Sequence, residues 1–244
     1  MIATVLRATL WLSVVDALAG AALVGFLYTP EANVLSLGVS TLLIVVAGVL
    51  LLLSSAAAAH GLVHGITPWS SVSAAARHLP LMLVVLVVLG VLCGGAGWFE
   101  SWVVSHAGEV DAAAMVAGDV TRTGWAHSGV HWIVVLVQWI LVPAWFATAL
   151  AWIAARDNRD VLTLKWLPAG LHWQVLVVTL VVVALFVWVP WRYVYWRPRF
   201  LPASSVEVVF AGAKLLLLYL LAQVAWALAL WTAARRVPAQ SGTA

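Results

Sequence analysis

At 244 residues the chain has room for one membrane domain and little else; 65% of it is hydrophobic, 9% is charged, and the mean hydropathy is +1.07. The formal charge of +3 comes from ten Arg and two Lys against nine acids, with no basic cluster on a soluble face, so nucleic-acid binding is excluded. A lone cysteine, Cys93, without CxxC or CxxCH spacing, excludes an intrachain disulfide, cysteine-ligated zinc, iron–sulfur clusters and c-type haem attachment.

A bilayer crossing needs about 20 apolar residues as helix. Six stretches meet that length, at about 8–28, 34–59, 79–98, 132–155, 171–190 and 208–231. A lipid-facing backbone must satisfy its own hydrogen bonds, and these runs lack the alternation of a barrel strand. The expected fold class is an all-α integral membrane protein forming a single six-span domain over 1–244.

The first run begins after Arg7 and contains "ALAGA", a signal-peptide-like pattern, but Asp16 interrupts it and five further runs follow. It reads as a retained first span. Asp16 falls eight residues after Ala8, about 12 Å into the membrane. An acid there is costly unless paired, protonated or hydrated, and a hydrogen bond to Ser, Gln or backbone on a neighbouring span would serve. Ala17, Ala21 and Gly25 follow at i+4 spacing and would permit close packing beside it. Thr29 and Pro30 stop the helix, and "YTPEAN" turns the chain into an antiparallel second span.

The linker after span two, "TPWSSVSAAARH", predicts a short surface elbow with Thr67 as N-cap and Pro68 at the first helical position. Span three carries Gly90 and Gly94, a GxxxG expected to pack against another helix. A loop at about 103–130 follows, expected to form a lid seated by Trp102, Trp125 and Trp132. Span four has Gln138 near Pro143, which frees a backbone carbonyl and predicts a kink. A second elbow, "VLTLKWLPAG", leads into span five. In span six, Lys214 lies about two turns in, where its stem can snorkel outward. Gln223, nine residues later, projects from the opposite side, so span six is expected to touch several neighbours. "LPLMLVVLVVL" from Leu79 resembles "WQVLVVTLVVV" from Trp173, 94 residues on (173 − 79), which hints at two three-helix halves.

Six spans put both ends of the chain on one membrane side. Arg7, Arg77, Arg156, Arg159, Lys165, Arg235 and Arg236 fall there, against Arg122, Arg192, Arg197 and Arg199 on the other. Seven against four places the termini in the cytoplasm of a bacterial inner membrane, though "WRYVYWRPR" carries three Arg on the outer side. Trp98, Trp102, Trp125, Trp132, Trp188, Trp191 and Trp196 mark the outer interface, and Trp69, Trp152, Trp166, Trp173 and Trp231 the inner one.

The candidate functional residues fall into three sets. Asp16, Gln138, Lys214 and Gln223 are polar within the membrane. His60, His64, His78 and His172 gather at inner span ends. His106, His127 and His131 lie outside with Glu109, Asp111 and Asp119 as potential third ligands. His60/His64 and His127/His131 have the i,i+4 spacing that puts two imidazoles on one helix face. Flanking glycines weaken both pairs. Haem ligation between spans would need histidines at two depths in the membrane, whereas these lie at span ends. No P-loop, GxSxG, SxxK or HExxH occurs. The expectation is a non-enzymatic permease-like or scaffold subunit, without cofactor, contacting the lipid bilayer and either partner subunits or further copies of itself. The alternative is a membrane enzyme holding haem or a divalent metal at the outer His/acid cluster.

Overall fold

In a computed structural model, residues 2–29, 33–116, 124–156, 164, 166–194 and 205–237 are described, with backbone alone at 108–116, 124–128, 194 and 205–207. Leu, Val and Ala dominate the runs, and among the described residues every regular element is a helix. These are α1 (Ile2–Tyr28), α2 (Val34–His64), α3 (Pro68–Arg77), α4 (Leu79–Val116), α5 (Gly124–Leu136), α6 (Val142–Ala155), α7 (Trp166–Gly170), α8 (Trp173–Val183), α9 (Val189–Val194) and α10 (Ser205–Ala234). Two π-helical segments, Val137–Leu141 and Ala184–Trp188, join α5 to α6 and α8 to α9. Six helices are long and apolar enough to cross a membrane: Ile2–Tyr28, Val34–His64, Leu79–Ala107, Gly129–Ala155, Trp173–Tyr193 and Val208–Ala234. The chain is a multi-pass membrane protein. The side carrying the ends of the chain is called the termini side below, and the other the far side.

Local chemistry sets the boundaries. Asn33 and Ser36 form a capping box at the start of α2: the Ser36 N–H donates to Asn33 Oδ1 (2.9 Å) and the Asn33 N–H to Ser36 Oγ (3.1 Å). Gly65 ends α2 at φ 70°, where its N–H bonds the Gly61 carbonyl. The expected elbow is α3, with Pro68 in its first turn, but the Thr67 hydroxyl makes no N-cap bond and instead lies 3.0 Å from Ser70 Oγ. The expected lid is replaced in part by helix. α4 runs 38 residues, about 57 Å, and so projects past the hydrocarbon on the far side. Ala112–Ala114 lie in that extension, and Ala is the strongest helix former.

Both π segments have one cause. Each is followed by Val-Pro, at Val142–Pro143 and Val189–Pro190. Proline lacks an N–H, and its ring crowds the carbonyl four residues back. Widening the preceding turn relieves that crowding, and the valine N–H takes the carbonyl five residues back: Val142 bonds Val137 and Val189 bonds Ala184.

α10 packs against α1, α2, α6 and α8, the multiply contacted helix expected of span six, whereas α4 packs chiefly on α5 and α6. α8, which carries the second Val/Leu run, packs chiefly on α10, so the two runs begin spans with different neighbours. Burial is uneven across the membrane. Ala57, Ala58, Ala59, Ala147, Ala149, Ala151, Ala227 and Ala233 are fully buried, all on the termini side. Leu12, Leu150, Ile153 and Leu230 fill the space between them. On the far side Trp98, Trp132, Val208 and Val209 stay largely exposed.

Several packing expectations are corrected. Gly90 and Gly94 have nothing within 4 Å of where a Cβ would stand, so this GxxxG faces away from the rest of the molecule. Gly97, one turn on, is the glycine that meets span four, 3.4 Å from Gln138 Nε2. Ala17 and Ala21 are exposed, and the close-packed stripe of α1 is Ala8, Leu12, Val15 and Ala19. Trp152 and Trp166 are buried against protein, at 5% and 2% exposure. α7 packs on α6, where the Trp145 indole donates to the Leu167 carbonyl (3.1 Å).

Candidate intramembrane polar site

Asp16 on α1 sits where three helices meet. Its carboxyl is hydrogen-bonded by Ser54 Oγ of α2 and by the Gln223 amide of α10. Ser54 is fully buried and Gln223 is 8% exposed. The same layer holds further cross-helix bonds. The Trp11 indole donates to the Ser54 carbonyl (2.9 Å), the Trp226 indole to Ser55 Oγ (3.0 Å), and the Tyr219 hydroxyl to the Ser13 carbonyl (2.6 Å). Spans one, two and six are thus joined by donors and acceptors over about two helical turns, flanked on the termini side by the alanine core. In lipid such bonds are each worth about 1 kcal/mol, and together they fix the register of three helices.

The other polar candidates lie apart from this layer. Gln138 donates from Nε2 to the Cys93 carbonyl (3.1 Å), tying span four to span three at the π segment. Lys214 lies 5.0 Å from the centroid of the Phe210 ring one turn earlier, a cation–π contact on the far side, and does not join Asp16.

The histidines are engaged one by one. His60 and His64 lie with ring centroids 4.3 Å apart and planes tilted by 42°. His60 Nδ1 faces Ser71 Oγ of α3 at 3.3 Å, and His64 Nε2 faces the Ala154 carbonyl at 2.9 Å. A carbonyl only accepts, so His64 carries its proton on Nε2. His78 is close enough to His60 to interact with it electrostatically. His172 caps α8, its Nδ1 accepting from the Gln174 N–H (3.3 Å). On the far side His131 Nδ1 pairs with Glu100 Oε1 at 2.6 Å, and His106 lies against Trp102 with its Nδ1 2.9 Å from the Trp102 carbonyl. The side chains of Glu109, Asp111, Asp119 and His127 fall outside the described residues. Among the described residues, no three His, Cys, Asp or Glu side chains are grouped to hold a metal.

No protein family, curated protein or solved structure matches the chain. Function is therefore read from the geometry alone. A polar layer whose groups bond one another across helices locks helices in place. Two clefts lie apart from Asp16. One of about 740 Å³ runs between spans four and five on the far side, and one of about 490 Å³ lies beside Arg235 and Arg236 on the termini side.

Sequence reasoning singled out Asp16 and Gln223 but not Ser54, Ser55, Tyr219, Trp11 or Trp226. One signal was present. Tyr219, Gln223 and Trp226 stand at i, i+4 and i+7, one face of a helix. Each of the three makes a bond to span one or two.

Proposed function

We propose that the protein is a non-enzymatic subunit of a membrane complex in a bacterial cytoplasmic membrane, and that of the two expected roles it serves as scaffold rather than permease. One observation carries this reading: the Asp16 carboxyl is engaged by the Ser54 and Gln223 side chains of two neighbouring helices. A permease would use such groups to hold its substrate. Exposed apolar residues of the far half, among them Trp98, Val208 and Val209, supply surface for other membrane proteins.

The test is native mass spectrometry of the protein, extracted from its own membranes in a mild detergent. The expected species is an assembly of fixed stoichiometry containing a second membrane protein or a second copy of this chain. A lone monomer as the sole species would overturn the scaffold reading. The enzyme alternative rests on the His131–Glu100 pair. It gains the upper hand if elemental analysis finds one equivalent of zinc or copper that a His127→Ala, His131→Ala double variant loses.

A further inference from the structure

The cleft of about 740 Å³ between spans four and five has an unusual construction. Its walls include Trp132, Trp139, Val187, Trp188 and Trp191, with Arg192 at the far-side end. Both wall helices open into π turns at this level: Trp139 belongs to one segment, Val187 and Trp188 to the other. Single π turns are rare and occur often at functional sites. Here two of them border the same space. No carboxylate among the described residues pairs with Arg192.

We propose that this cleft binds a single anionic amphiphile of the phospholipid class. Its acyl chain lies along the indoles and its phosphate is held by Arg192. The charge pattern fixes the orientation. Arg192 is the last-but-one residue of the fifth span, at headgroup level, and Ala184, the deepest lining residue on that helix, is eight residues or about 12 Å further in. The lining is thus cationic only where a lipid carries its negative charge and apolar where it carries its chain. The volume falls within the roughly 300–1,000 Å³ usual for small-molecule sites. Flat indole walls suit a flexible chain, and Arg offers a planar fork of donors to a phosphate. This site is independent of the scaffold reading.

The experiment measures retention of added lipid by the purified full-length protein, using native mass spectrometry. The probes are dioleoylphosphatidylglycerol, dioleoylphosphatidylcholine and glycerol 3-phosphate. The expected result is one tightly held phosphatidylglycerol, weaker phosphatidylcholine and no retained glycerol 3-phosphate. Arg192→Gln, at an exposed position, should weaken phosphatidylglycerol roughly fivefold and phosphatidylcholine, whose choline already offsets the phosphate charge, by clearly less. Val187→Trp, which fills the cleft while keeping Arg192, should displace both lipids. Equal affinity for the two lipids, or an unchanged Arg192→Gln, overturns the headgroup assignment. Undiminished phosphatidylglycerol binding by Val187→Trp overturns the assignment of the chain to the cleft, and glycerol 3-phosphate binding as tightly as lipid removes the chain from the recognition altogether.

Discussion

Asp16 takes hydrogen bonds from two other spans, and an amide can replace a carboxyl in such an arrangement with little change of shape. Asp16→Asn should therefore fold as the parent does. Asp16→Leu should lose about 1–2 kcal/mol, the range for interhelical hydrogen bonds in lipid, measured by unfolding in mixed detergent micelles. A Gln223→Leu cycle against Asp16→Leu should show coupling, because both changes break one contact. Loss of a native activity in Asp16→Asn with stability intact would show that ionisation, not packing, is what the residue supplies. Gly170 offers a different test. A Cβ there would collide with the Trp145 ring, so Gly170→Ala should cost about 1–3 kcal/mol by overpacking, read as a lowered melting temperature in detergent. The expense of an acid in lipid made Asp16 conspicuous in the sequence. Ser54 was not conspicuous, because a hydroxyl in a helix can bond its own backbone and needs no partner to be tolerated.

The elements were legible to different degrees for physical reasons. Span number followed from hydropathy because lipid demands helix. Where a helix stops is set by local propensity, and the far end of α4 runs on through alanine-rich sequence that resembles a loop only in its lack of bulk. The facing of Gly90 and Gly94 depends on which helix lies opposite, a property of the assembled bundle that no span carries within itself. Pro143 signalled a disturbance in span four, whereas Pro190 read only as the end of span five. The shared origin of the two π segments gives a joint prediction. Pro143→Ala and Pro190→Ala should each let the regular hydrogen-bond ladder return. Hydrogen exchange should then slow at Val137–Leu141 in the first variant and at Ala184–Trp188 in the second, with no change in the helix left intact. Unchanged exchange in both would mean that the widened turns have a cause other than proline.

For the molecule as a whole, orientation remains a matter of charge: seven Arg and Lys on the termini side against four on the far side. This predicts termini in the cytoplasm. In a Cys93→Ser background, a membrane-impermeant maleimide added to intact cells should label a cysteine at Ala113 and not one at Ser241. Labelling of Ser241→Cys in intact cells, with Ala113→Cys silent, would invert the molecule. In either orientation the tight core, knit by alanines and a polar layer, lies on the termini side, while large apolar side chains face outward in both halves.

That difference inverts the usual rule about which substitutions a protein survives. In a water-soluble domain, trimming large side chains does the harm, because it opens cavities and forfeits burial. Here Leu215, Leu216 and Leu217 face outward into lipid, which is as apolar as they are, so trimming any of them to Ala removes little. On the termini side Ala57, Ala147 and Ala227 are already minimal, and each added methyl has nowhere to go. A deep mutational scan of this chain should thus show shrinkage tolerated at the exposed Leu and Val positions and growth forbidden at the buried alanines of the termini side.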